Sequence, residues 1–394
     1  MNKERRILVL PSWYPPDGGY FFREHSEAIK NMGWPVDVLA IRLVGIRKLL
    51  QAGPSALKRF HVSDENGLRV VRSSYLKVPG SEKYNIRGWA DHTLRSYRKY
   101  ERKFGKPALI LVHSVTWAGY AAYLIHERFH IPYVIVEHRS FFVWSGRMAR
   151  RMVRPYYLPF FKRAYSRCRR LILVSESQKK GIDALVPFAM KRVQVIPNMI
   201  RADQFRPPSE ARKADPFVFL WAGRLEHVKG IDLLLDAAKI LADKSDRPFI
   251  IRLAGKGSRR RDLERQAKKL GLKDRILFLG RLSRDEILQE LQGANCFVLP
   301  SRYEAFGVAL IEAMATGLPV IATASGGPDL VVTRDNGLLI DRGDPRSLAW
   351  AMGRMMATIT DYSPGLIREE TLRVYGDAAV MKQYDRLLNQ LLRE

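Results

Sequence analysis

Short, continuous apolar runs recur along the chain, and amphipathic stretches separate them. In the first half the runs fall at residues 7–10, 36–40, 109–112, 133–136 and 171–174. Between several of them apolar positions return every three to four residues, as at 21–32 and 118–129, which predicts helices. Runs that are apolar throughout belong to strands buried on both faces. Such strands build parallel sheets flanked by helices. The pattern stops at residues 201–216, RADQFRPPSEARKADP, which carry three prolines and no apolar period and make the best linker in the chain. It restarts with strands predicted at 218–221, 250–254, 276–279, 296–299 and 320–322 and helices at 231–244, 259–270, 284–293 and 307–316. A last helix, at 377–392, has no strand after it. The predicted fold class is α/β, with two successive doubly wound, Rossmann-like domains at 1–200 and 201–376. A terminal helical segment follows at 377–394. Open parallel sheets bind ligands at the carboxyl ends of their strands, so a cleft between two facing domains is the expected site.

Composition narrows the class. The 394 residues suit two domains, and 46% hydrophobic with 27% charged residues describes a folded chain rather than a disordered one. Two cysteines, Cys168 and Cys296, exclude a disulfide framework and a Cys-rich zinc site and point to a reducing, cytoplasmic compartment. The opening MNKERRILVL holds too short an apolar run for a signal peptide. Residues 107–126 contain no Lys, Arg, Asp or Glu, which nominates a membrane span by length. A strand, a polar turn at His113, Ser114 and Thr116, and a helix account for the same run without placing a histidine in lipid.

Charge changes the picture more. The net charge is +27, and it is uneven: residues 1–200 hold 36 basic and 14 acidic side chains, and the rest hold 31 and 26. The first half is therefore expected to meet something anionic. From His138 to Ser175 there are ten Lys or Arg and no acidic residue. Within FFVWSGRMARRMVR, helical spacing gathers Phe141, Trp144, Met148 and Met152 on one side and Arg147, Arg150, Arg151 and Arg154 on the other. Tyr156, Tyr157, Phe160 and Phe161 follow. Aromatic and basic residues together suit an anionic membrane surface. A core helix with a solvated basic face is the plainer reading.

The densest chemistry lies in residues 300–328, PSRYEAFGVALIEAMATGLPVIATASGGP. A strand ends at Leu299, Glu304 follows in a loop, and a helix is expected from Phe306 or Gly307. Glu312 comes eight residues after Glu304. On a helix that spacing is about 12 Å of rise, too far for one paired-carboxylate site. It suits an elongated ligand touched at both ends, with a diphosphate over the helix N-terminus. A second motif, AGRLEHVKGID at 222–232, places Arg224 and Lys229 on a turn after the first strand of the second half, where a guanidinium and an ammonium can neutralise phosphate. AGKGS at 254–258 reads as a strand-to-helix turn. In the first half, Asp17, Gly18 and Gly19 form a loop after the first strand, and His113 and His138 each stand at the carboxyl end of a buried strand.

These residues together resemble the family 4 glycosyltransferases, retaining, nucleotide-sugar-dependent enzymes of the GT-B fold. The specific part is the spacing of Glu304 and Glu312 combined with Gly-x-Arg and Lys-Gly at 223–230. The resemblance implies that Glu312 holds the donor ribose and that Arg224 and Lys229 neutralise the departing diphosphate. It puts Glu304, with the backbone of Phe306 and Gly307, near the donor sugar and β-phosphate. His138 would lie beside the transferred sugar, Gly19 near the diphosphate, and Asn198 at an interdomain hinge. His113 and Arg139 fall on the acceptor side, and the terminal helix is expected to pack back on the first domain. Phe21 and Phe22 after the glycines, and Arg139 after His138, depart from the family pattern and bear on the acceptor. SWYPP followed by FFREH is most similar to bacterial members that build surface polysaccharides, lipopolysaccharide and exopolysaccharide among them. The implied partners are a nucleoside-diphosphate sugar, a glycan or lipid-linked acceptor and an anionic membrane surface, with no nucleic acid. Two cations at the diphosphate and the lack of an Asp-x-Asp motif predict no cofactor and no divalent metal. A sugar-nucleotide epimerase or hydrolase on the same fold is the alternative. A nucleic-acid-binding protein would leave the near-neutral half, with the best motifs, unexplained.

Overall fold

The computed structural model describes residues 5–57, 60–210 and 215–393. It divides into two units, Met1–Pro197 with Met381–Glu394, and Asn198–Val380.

The first unit holds an eight-stranded sheet of β1 (Ile7–Pro11), β2 (Val36–Gly45), β3 (His61–Glu65), β4 (Leu68–Lys77), β5 (Leu109–His113), β6 (Tyr133–Glu137), β7 (Arg170–Leu173) and β8 (Val193–Val195). The order is β3-β4-β2-β1-β5-β6-β7-β8, and every neighbouring pair is parallel except β3 with β4. Strand order reverses at β1, which lies between β2 and β5, so the loops after β1 and β5 open at a switch point. The β3–β4 hairpin turns on Asn66-Gly67, both with positive φ, the residue pair that a two-residue hairpin turn favours. The helix Glu82–Phe104 starts at Ser81, whose side chain accepts from Tyr84 N–H, and buries Ile86, Trp89, Ala90, Thr93, Tyr97 and Tyr100 at helical spacing. Its other face is almost wholly charged. The terminal helix Asp377–Arg393 belongs to the first unit from Met381 onward and buries Met381, Tyr384, Leu387, Leu388 and Leu391. Trp34 Nε1 donates to Asp385 there, at 2.9 Å.

The second unit holds six parallel strands, β9 (Phe217–Ala222), β10 (Phe249–Ala254), β11 (Ile276–Gly280), β12 (Cys296–Leu299), β13 (Val320–Thr323) and β14 (Gly337–Ile340), in the order β11-β10-β9-β12-β13-β14. This is the doubly wound order of nucleotide-binding sheets, with its switch point between β9 and β12. The loops carrying Arg224 and Lys229 and carrying Glu304 leave those two strands.

Two expectations need correction. Within FFVWSGRMARRMVR only Gly146–Met152 is α-helical, and Ser140–Val143 is a 3-10 turn. Phe142, Phe160 and Phe161 are buried, and Phe141 and Trp144 pack against the core, so the exposed apolar side chains are Met148 and Met152 alone of the four. The helix expected from Phe306 or Gly307 begins at Val308. No helix of the described residues is long and apolar enough to cross a membrane. Cys168 and Cys296 are both buried and unpaired.

Candidate active site

In the second unit the chain leaves β9 at Ala222 and is laid against the segment after β10. Gly223 N–H donates to Ala254 O at 2.9 Å, Leu225 N–H to Lys256 O at 2.9 Å, and Arg259 N–H to Leu225 O at 3.1 Å. A Cβ on Gly255 would stand 1.8 Å from Gly223 O, and one on Gly257 2.1 Å from Leu225 O. The Gly-x-Gly of 254–258 is thus more than a turn marker. It is the support on which the Arg224 loop rests, and only glycine lets the two backbones meet.

The loops after β9 and β12 are fastened to each other. Arg302 N–H donates to Val228 O at 2.8 Å. The Arg302 guanidinium grips Asp232 through two bonds of 2.8 and 2.7 Å and reaches His227 O at 2.9 Å. Burial works against the Asp232 carboxylate, but the Arg302 hydrogen bonds and charge outweigh it and hold the group below its usual range. The result is a close ion pair: Lys229 Nζ lies 2.5 Å from Glu304 Oε2, with the two side chains 21% and 14% exposed. Ser301 Oγ lies 3.4 Å from the same oxygen.

Glu304 does not sit on the helix. It forms an isolated parallel bridge with Gly326, its N–H donating to Ser325 O at 3.0 Å and its carbonyl accepting from Gly327 N–H at 2.8 Å. The 12 Å rise assumed a helix through Glu304 and does not apply. Gly307, at φ +91°, caps the helix Val308–Ala315, whose first N–H groups have no intrahelical partner and favour an anion. Phe306 is buried edge-on against Tyr375 at 5.5 Å. Glu312, in the second turn, is buried and paired with Arg284, whose guanidinium lies over the Phe205 ring. Arg284 was not singled out in the sequence. It follows Ser283, which forms a capping box with Glu286, and that box was the available signal for a side chain projecting from a helix start. Arg224 is exposed and makes no side-chain bond among the described residues. Asn198 is buried, with an unpartnered Oδ1.

The first unit carries a different cluster. Gly19 (φ +73°) starts the helix Tyr20–Asn31, and a Cβ there would stand 2.6 Å from Trp13 O. That helix delivers Phe22 and His25 to the ends of β5 and β6. His25 Nδ1 lies 3.2 Å from His113 Nε2, and His113 Nδ1 lies 3.1 Å from His138 Nε2. Phe22 stacks on His113 at 4.7 Å and touches His138 at 5.1 Å, and Phe21 meets the His138 ring edge-on at 5.4 Å. The two phenylalanines that depart from the family pattern therefore wrap the histidines. His113 is fully buried, with both ring nitrogens engaged by other histidines. The buried Glu137 holds the His138 loop by accepting from the backbone N–H groups of Val115, His138 and Arg139, each at 3.0 Å, and from Tyr165 OH at 3.2 Å. Burial pushes its pKa up, and those donors oppose the rise. Arg139 lies over Trp13 and Phe141. Trp13 also lines a cavity of about 300 Å³, together with Tyr14, Asp17, Arg42, Arg72 and Ser73. Arg42 is paired with Asp17, and Arg72 grips Glu65 at 2.8 and 2.7 Å. Of this lining only Asp17 was singled out in the sequence, because the rest comes from the loop after β1 and from two strands, β2 and β4, far apart along the chain.

The sequence-predicted residues thus form two groups: Arg224, Lys229, Glu304, Phe306, Gly307 and Glu312 around the β9/β12 switch point, and Gly19, His138 and Arg139 at the ends of β1 and β6. Among the described residues no group of three or more His, Cys, Asp or Glu is placed to hold a metal ion.

Comparison with known proteins agrees with this architecture. Residues 203–358 match the family of glycosyl transferases group 1, and residues 19–204 match glycosyltransferase family 4. The chain is 29% identical over 320 residues to a D-inositol 3-phosphate glycosyltransferase of Xylanimonas cellulosilytica, an alignment covering 75% of each. Its fold is similar to sucrose-phosphate synthase from Thermosynechococcus elongatus, with a TM-score of 0.81 at 23% identity over 99% of this chain and 100% of the other. It is also similar to the HepE protein of Anabaena in complex with UDP-glucose, with a TM-score of 0.72 at 18% identity over 98% and 100%. With both sheets, both switch-point motifs and both family matches in place, the chain belongs to the family 4 glycosyltransferases of the GT-B fold.

Proposed function

We propose that this glycosyltransferase moves a sugar, with retention of configuration, from a nucleoside-diphosphate sugar to a hydroxyl of a glycan or lipid-linked acceptor in bacterial polysaccharide synthesis. The observation that carries the reading is the Lys229–Glu304 pair, which joins the loop carrying Arg224 to the loop that leads into the helix starting at Val308. Breaking the anomeric carbon–oxygen bond leaves both electrons, and negative charge, on the terminal phosphate oxygen. Arg224, Lys229 and the helix N–H groups are fixed donors for that charge. The acceptor oxygen attacks from the face the phosphate leaves, and its proton passes to the departing phosphate oxygen. Glu312, oriented by Arg284, is suited to accept from a ribose diol, since a carboxylate offers about four acceptor sites. Glu304 would then share Lys229 with the diphosphate and accept from the donor sugar. Gly19 would border the diphosphate, and Asn198 would act at the hinge.

On the acceptor side, the cavity beside Trp13 suits a sugar ring. It offers aromatic walls for the ring's C–H faces, and Arg42–Asp17 and Arg72 for its hydroxyls. The test is a thermal-shift screen over nucleoside diphosphates, followed by transfer assays with the matching sugar donors. One nucleotide should raise the melting temperature, and transfer should need an acceptor and survive EDTA. Donor turnover without an acceptor would support the epimerase or hydrolase reading instead, and transfer abolished by EDTA would refute metal independence.

The same reading includes peripheral attachment to the inner face of the plasma membrane. It rests on the exposed Met148 and Met152 beside Arg147, Arg150 and Arg151 on one short helix. Binding to vesicles containing anionic lipid is expected to exceed binding to neutral vesicles and to fall with salt, because exposed charges are screened. Equal binding to both would remove the membrane from the proposal.

A further inference from the structure

Three imidazoles stand in line in the first unit. His25 and His113 are buried, and His138 is half-buried at the outer end. The two contacts between them, 3.2 and 3.1 Å, are each a nitrogen facing a nitrogen. A neutral imidazole has one N–H and one acceptor nitrogen, so each contact needs one ring to donate and the other to accept. The line therefore has only two neutral arrangements. In the outward one, His25 Nδ1–H donates to His113 Nε2 and His113 Nδ1–H donates to His138 Nε2. The proton of His138 is then on Nδ1. In the inward one every proton is on Nε2.

The inner end chooses between them. His25 Nε2 is buried and has no hydrogen-bond partner. Its ring meets Phe21 and the edge or face of Tyr384 at 4.4 Å. The inward arrangement would leave a buried N–H there with no acceptor, and the outward one leaves only a lone pair. Orphaned buried N–H groups are the rarer of the two.

We propose that His25 and His113 are positioning residues that lock His138 as the neutral, Nδ1-protonated tautomer, a fixed hydrogen-bond donor rather than an acid or base. The consequence for the reaction rests on the proposed function, which puts His138 beside the transferred sugar. There Nδ1–H would donate to a sugar oxygen. The line is not a proton wire, because it ends at a nitrogen with nothing to exchange with. It also resists a positive charge on His138. A proton added at His138 Nε2 would face the N–H of His113, and relieving that clash would drive both inner protons to Nε2 and recreate the orphan. Burial independently holds His25 down to about 3 and His113 well below the ordinary histidine value, with the neighbouring histidines adding to both shifts. The charged residues next to His138 in sequence are Glu137, whose carboxylate is taken up by backbone N–H groups and Tyr165, and Arg139, whose guanidinium lies over Trp13 and Phe141.

Nitrogen-15 spectra of the full chain with labelled histidine, recorded without any sugar donor, test this directly. The chain has eight histidines, and His138→Gln identifies the signals of His138 by their loss. In the wild type, His138 should show a protonated Nδ1 and an unprotonated Nε2 from about pH 5 to about pH 8. His113→Phe, which keeps the ring stack with Phe22, should return His138 to mixed tautomers titrating near about 6.5. Should that variant fail to fold, His25→Asn supplies an amide able to donate or accept and should by itself give mixed tautomers. A wild-type His138 protonated on Nε2, or titrating normally, overturns the lock, as does an unchanged His138 in the folded variants. Because no donor is present, these outcomes are independent of whether the transfer reaction is as proposed.

Discussion

Lys229→Ala is expected to lower the sugar-transfer rate by about 10²–10³-fold, the usual effect of removing one preorganised donor from a site of developing charge. Arg224 and the N–H groups ahead of Val308 remain, so catalysis should fall and not vanish. The structure adds a second expectation. Lys229 is held by Glu304 at 2.5 Å, so the carboxylate competes with a diphosphate for the ammonium. Glu304→Gln removes that competitor while keeping an amide of the same shape. It should bind the bare nucleoside diphosphate as tightly as the wild type or more so, yet transfer slowly, because the group assigned to the donor sugar has lost its charge. The two variants therefore separate: alanine at 229 weakens both diphosphate binding and kcat, and glutamine at 304 lowers kcat alone. Calorimetric titration with the nucleotide, set beside steady-state rates, reads both. Wild-type kcat in Lys229→Ala would show that the leaving group lies elsewhere.

How much of this was legible in the chain depends on the range of the signal. The two parallel sheets were visible because strands buried on both faces write themselves as unbroken apolar runs, as at 109–112 and 320–322. The hairpin of β3 and β4 was not, since its outer strand is largely exposed and the interior pattern is diluted by Arg69 and Arg72. The long helix Glu82–Phe104 was missed for a related reason: its buried stripe of Ile86, Trp89, Thr93, Tyr97 and Tyr100 includes polar and aromatic residues amid charges. At the candidate site, residues whose place follows from their own loop were readable, including Arg224, Lys229, Glu304 and Gly307. Residues that hold a loop or side chain from elsewhere in the chain were not. Arg302 and Asp232, Arg284 behind Glu312, and His25 behind His113 are joined by distances that no spacing records. The same gap hides the burial of His113. A histidine at a strand end looks like a contact residue until its neighbours on another helix are known.

Gly230→Ala should be severely damaging although it touches no ligand. Gly230 sits at φ +67°, where an added Cβ costs roughly 1–2 kcal/mol in any surroundings. Here the Cβ would also stand 2.0 Å from Pro300 O, a backbone atom that no rotamer change can move. Relief requires the loops after β9 and β12 to part, and what holds them together is specific: Arg302 on Asp232 and Val228 O, and Lys229 on Glu304. Parting them exposes Asp232 without its guanidinium and moves the ammonium off the carboxylate. The expected loss of stability is more than about 3 kcal/mol, the range of substitutions that create overpacking and break a polar network together. The nucleotide-induced rise in melting temperature should disappear with it. Gly271→Ala is the control. Gly271 has nearly the same φ, +71°, but nothing lies within 4 Å of the Cβ position. That variant carries the backbone strain alone, so it should lose only about 1–2 kcal/mol and keep the nucleotide response. Denaturant unfolding of the two variants side by side measures the difference. Equal losses would mean that the β9 and β12 loops yield freely to each other, and that the Lys229–Glu304 pair is not held in place by the fold.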